Sequence, residues 1–128
     1  MADNFGLRIG VEGEKDFKNA LRDINQNFKV LGSEMKLITA QFDRQDQSIE
    51  ALTARNGALA KSVDAQKDKI STLEAALRNA ADSFGENDRR TQNWQIQLNN
   101  AKSELMKMER ELENNNQAIQ DLNEGFND

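Results

Sequence analysis

Residues 17–84 read FKNALRDINQNFKVLGSEMKLITAQFDRQDQSIEALTARNGALAKSVDAQKDKISTLEAALRNAADSF, and apolar or tolerated side chains recur in this run every three and four positions. They are Phe17, Leu21, Ile24, Phe28, Leu31, Met35, Ile38 and Phe42, then Ile49, Leu52, Leu59, Val63, Ile70, Leu73, Leu77 and Phe84. With Phe28 at position a of a heptad, a continues through Met35, Phe42, Ile49, Asn56, Val63, Ile70, Leu77 and Phe84. Position d carries Leu31, Ile38, Gln45, Leu52, Leu59, Gln66, Leu73 and Ala80. A heptad period held over such a length without a proline is the pattern of a long helix whose narrow apolar stripe must be covered by other helices. The fold class is therefore all-α, and one long coiled-coil helix is expected over residues 15–84.

Beyond Phe84 the frame persists. Trp94, Leu98, Leu105, Met108, Leu112, Ile119 and Leu122 keep the same phase, which predicts a second coiled-coil helix over residues 89–126. Between the two, Gly85 is suited to the left-handed conformation that ends a helix, and Asn87 or Asp88 to capping the next one. Residues 85–88 are thus expected to form a turn or hinge. Phase continuity is compatible with a hairpin at Gly85 and with an unbroken rod of about 110 residues, ~165 Å long. In the hairpin the second helix folds back on residues 47–84, and the stripe from Phe17 to Gln45 stays open for another chain. Self-association into a homo-oligomer is expected from either.

Residues 1–14 follow another rhythm. Leu7, Ile9 and Val11 alternate with Arg8, Gly10 and Glu12, the period of a strand, and Gly6, Gly10 and Gly13 punctuate them. A short extended arm is the expectation, with the first helix starting near Glu14, where negative charge favours a first turn. Within that helix Gly32 is a weak point, costing roughly 1 kcal/mol relative to alanine. Asn56 at a, with Gln45 and Gln66 at d, interrupts the apolar seam. The small residues flanking the seam between Arg44 and Ala81 let helices approach closely, which suits bundles of more than two.

Composition excludes much chemistry. The 128 residues contain no Cys, His, Tyr or Pro, so there is no thiolate, imidazole, disulfide or soft-metal ligand set. No cofactor, metal or catalytic residue is expected, and the chain does not read as an enzyme. A net charge of −5 opposes binding to nucleic acid or to an anionic membrane. Acidity rises toward the end, where residues 109–128 hold six Asp or Glu against Arg110 alone. Neither a secretory leader nor a membrane span of ~18 apolar residues is visible, so synthesis in the cytoplasm is expected. Three arrangements look superficially chemical. Gly10-x-x-Gly13-x-Lys15 lacks the spacing and the hydroxyl residue of a phosphate loop. The carboxylates of Glu109, Glu111 and Glu113 fall on separate helical faces, and Arg89 and Arg90 beside Trp94 make no groove for a base.

Several strings are more specific than generic heptads. Gly10-Val-Glu-Gly-Glu-Lys-Asp-Phe17, Phe28-Lys-Val-Leu-Gly-Ser-Glu-Met35 and Ser48-Ile-Glu-Ala-Leu-Thr-Ala-Arg55 resemble the beginning of tail tape measure proteins from phages and prophages of Gram-positive bacteria. Ser83-Phe-Gly-Glu-Asn-Asp-Arg-Arg90 and Gln95-Ile-Gln-Leu-Asn-Asn100 are similar to the same family, so the resemblance spans roughly Leu7 to Asn116. It implies a structural role in several copies along the lumen of the tail tube, where extended helical length sets tube length. It also implies partners, namely tail tube protein and tail assembly chaperones, and passage from the host cytoplasm into the virion. Members of the family are much longer than this chain, which would then correspond to their N-terminal region. The alternative from the residues alone is a cytoplasmic coiled-coil adaptor or oligomerisation module.

Overall fold

The structure is a computed structural model that describes residues 10–43 and 46–127, with side chains from 13 to 125. Three helices make it up: α1 (Gly10–Gln41), α2 (Ile49–Phe84) and α3 (Arg89–Asn127). They run up, down and up. Contacts link α1 to α2 and α2 to α3, while no described Cα of α1 lies within 8 Å of one of α3. The middle helix α2 is therefore the spine on which the other two lie. At ~1.5 Å per residue the longest, α3, measures about 58 Å.

The single helix expected over residues 15–84 is corrected to two. Its stripe has a gap, because no apolar side chain stands between Phe42 and Ile49, and Asp43-Arg-Gln-Asp-Gln-Ser48 offers only polar groups. Ser48 takes extended backbone angles (φ −66°, ψ 161°), and its hydroxyl accepts the Ala51 N–H at 3.2 Å, an N-cap that starts α2. The Arg55 guanidinium then straps the connection, donating to the carbonyls of Asp46 and Asp43, both at 2.7 Å. The Ser48 N–H also bonds Asp46 Oδ1 at 2.8 Å, and this bond holds the Asp46 carboxyl below the usual carboxylate range.

A second correction concerns the stripe of α1. It does not wait for another chain but closes on α2 of the same chain, burying Leu21 and Leu31. Each fully buried leucine contributes about 1.5–3 kcal/mol, and folding back recovers that gain without a second molecule. The expected arm is corrected in part. Residues 1–9 lie outside the described residues, but Gly10–Glu14 is helical. Three alternating residues are a weak strand signal against Glu12, Glu14 and Lys15, which are good helix formers. Gly32 is simply tolerated, since α1 runs through it and a Cβ there would meet nothing within 4 Å.

The hairpin at Gly85 stands, and the straight rod does not. Gly85 adopts φ 94° and ψ 156°, a conformation essentially reserved for glycine, and its N–H closes α2 on the Ala81 carbonyl at 3.0 Å.

Candidate functional site

The turn after Gly85 sets α3 on α2. Asp88, not Asn87, is the cap, and its Oδ1 accepts the Arg90 N–H at 2.8 Å. The Arg90 guanidinium returns to the same carboxylate at 3.0 and 3.1 Å and lies 3.5 Å from the centroid of the Phe84 ring. These bonds, the side-chain pair first, lower the Asp88 pKa to about 2. Thr91 Oγ1 donates to the Gly85 carbonyl at 2.7 Å, so the residue at an a position serves the turn instead of an apolar seam.

One turn further, Trp94 is 2% exposed and anchors the core. Around it pack Leu21 from α1, Leu73, Ala76 and Ala80 from α2, and Leu98 and Ala101 from α3, flanked by half-buried Phe17, Ile24, Ile70, Leu77 and Phe84. The indole N–H cannot stay unpaired there, and it donates to Glu14 Oε1 at 3.2 Å. Glu14 occupies the a position seven before Leu21, so the seam begins on a buried carboxylate. That single bond joins the N-terminal turns of α1 and α3.

Below it the two outer helices part and leave a groove. Two adjoining hollows of about 370 and 410 Å³ share Asn25 and Gln97. Leu21 and Trp94 line the upper hollow, and Phe28, Gln66, Ala101 and Met108 line the lower one. Gln66 Nε2 donates to the Ala101 carbonyl at 2.9 Å, which satisfies a buried amide at a d position. Lys69 Nζ reaches Asn25 Oδ1 at 3.4 Å and stands 5.8 Å from the centre of the Phe28 ring.

Comparison with protein-family models, with curated proteins and with solved structures returns no match. What the chain offers must be read from its own surfaces. Of the expected seam, Leu21, Leu31, Leu52, Asn56, Leu59, Val63, Leu73, Trp94 and Leu98 are buried. Phe17, Ile24, Phe28, Met35, Ile38, Phe42, Ile49, Ile70, Leu77, Phe84, Leu105, Met108, Leu112 and Ile119 are half-buried, while Leu122 is exposed. Asn56 Nδ2 donates to Asn116 Oδ1 at 2.6 Å, but its own Oδ1 is buried without a protein partner. Among the groupings that looked chemical, Gly10–Lys15 is helix and not loop, Arg90 covers Phe84 and not Trp94, and Glu109, Glu111 and Glu113 are exposed.

A second seam escaped the heptad reading. Ala51, Ala58 and Ala65 are buried at position c, joined by Ala76 at g and Asn79 at c. On a helical wheel c, g, d and a form one arc about 160° wide, as a helix flanked by two neighbours requires. The signal was present as alanines exactly one heptad apart, which a count of large apolar residues passes over.

Among the described residues no helix is long and apolar enough to cross a membrane, and no group of three or more Asp or Glu is placed to hold a metal ion.

Proposed function

We propose that this chain is a structural component of a phage tail, the N-terminal part of a tape measure protein, working in several copies with tube protein and assembly chaperones. The observation that carries this is where the family-like strings fall. Ser48–Arg55 holds the N-cap and the arginine strap that start α2, and Ser83–Arg90 holds the glycine stop, the Asp88 cap and the Arg90–Phe84 contact. Two of the five strings thus supply junction residues, which a heptad repeat alone does not call for, and this supports the reading.

A length-setting role is supported by the weakness of the seam. Asn56, Gln66, Asn79 and Thr91 are buried polar residues in a chain with few large apolar ones, and a bundle so constructed opens at modest cost into extended helix. Extended, each residue adds a fixed rise.

The test is tail length by electron microscopy after inserting four in-frame heptads between Val63 and Ile70 in a phage carrying this gene. A ruler segment lengthens the tail by ~42 Å at 1.5 Å per residue. Tails of unchanged length overturn the measuring role, and absence of the chain from purified tails, by mass spectrometry, overturns the tail assignment itself.

A further inference from the structure

The groove between α1 and α3 has a charge opposite to that of the chain. On α1, Lys18, Arg22 and Lys29 line it, and Lys69 joins from α2. Among the described residues Glu104 is the one carboxylate in its lining, and it is paired with Lys107 at 3.9 Å. Lys18, Arg22, Asn25 and Lys29 stand at i, i+4, i+7 and i+11, a single stripe along α1 that faces the opening. The chain as a whole carries −5. A cationic groove with an apolar floor on an acidic protein selects an acidic, amphipathic helix.

The chain contains such a helix. On α3 the groove side is marked by Trp94, Gln97, Ala101, Glu104 and Met108. The same side continues at three- and four-residue steps through Glu111, Asn115, Ala118 and Leu122, with Asp121 beside them. Glu111 and Asp121 are exposed, Leu122 is 36% exposed, and Met108 remains half-buried. The length also matches, because Trp94 to Met108 and Met108 to Leu122 are each 14 residues, ~21 Å of helix.

We infer that two copies pair through α3, antiparallel about a two-fold axis near Met108, each placing residues 108–122 in the cationic groove of the other. The pairing brings Asp121 of one copy level with the Lys18 and Arg22 end of its partner, and Glu111 level with Lys29. It is isologous and closes on itself, so it gives a dimer and not a filament. The inference builds on the self-association proposed above and is independent of the tail role.

Sedimentation of the full chain tests it, with a single copy at 14.5 kDa and a dimer at twice that mass. K18E/R22E/K29E sets groove against helix in like charge, and so does E111K/D121K. Each variant alone is expected to dissociate about a hundredfold more readily than the original chain. Mixed, they are expected to recover a heterodimer, since each then presents the opposite charge to the other. All five substituted positions are exposed, and unchanged helical circular dichroism certifies the fold. Variants that dimerise as well as the original chain overturn the groove and leave self-association standing. A chain that sediments as a single copy up to high micromolar concentration overturns both.

Discussion

The two ends of the bundle are built differently from the same heptad frame. At the Gly85 end three helices converge on Trp94, and Leu73, Ala76 and Ala80 are 0% exposed. At the end holding Asn56 the contacts are pairwise. Leu52, Leu59 and Val63 of α2 are buried there, yet Leu105, Met108, Leu112 and Ile119 of α3 are all half-exposed. The seam of α3 is thus sealed beside Trp94, where Leu21 of α1 joins it over α2, and half-wet beyond Ala101, where α2 alone covers it. Burial by a third element, more than seam chemistry, decides where stability is concentrated.

Truncation should expose this difference most strongly. Trp94→Ala is expected to cost about 3–5 kcal/mol by chemical denaturation, because it empties the centre of the three-helix core and leaves the Glu14 carboxylate without its donor. Leu112→Ala, in the same frame but with one helical neighbour, should cost about 1 kcal/mol. Equal losses would erase the distinction between the ends.

A smaller effect of opposite sign is expected at the weak end. Asn56 has a buried Oδ1 without a protein partner, while its Asn116 partner is exposed and can turn to water. Asn56→Leu should therefore raise stability by about 1 kcal/mol, visible as a shifted denaturation midpoint with unchanged slope. A loss of stability would mean that the amide pair sets register at this end.

The smallest effect belongs to the turn. The folded pKa of Asp88 is about 2, below its ordinary 3.8, with the Arg90 side-chain bond the leading cause. A depressed carboxyl pKa stabilises the fold fully above pH ~4, and that contribution fades as pH falls from there toward 2. Asp88→Asn should flatten this part of the acid unfolding curve, and Arg90→Ala should move the Asp88 titration, followed by NMR, back toward 3.8.

Much of this was legible in the residues. The all-helical class and the stop at Gly85 followed from periodicity and from a residue with specific backbone chemistry. The break at residues 42–48 was legible as a gap in the stripe, but Gln45 fits a d position on paper, and a frame drawn through it hides the gap. Which helix would cover the Phe17–Phe42 stripe was not legible, since a heptad face carries no address. Nor was the groove legible. Lys18, Arg22 and Lys29 are ordinary surface cations in sequence, and they become a lining only because α1 and α3 are held apart on α2.

Hydrogen exchange in native conditions, at a concentration low enough to keep single copies apart, tests the central claim most directly. Amides of residues 70–80 and 91–101 should exchange slowest, and those of residues 111–125 at least about a hundredfold faster, because only the first group lies under a three-helix core. Uniform protection along α3 would contradict a fold anchored at one end.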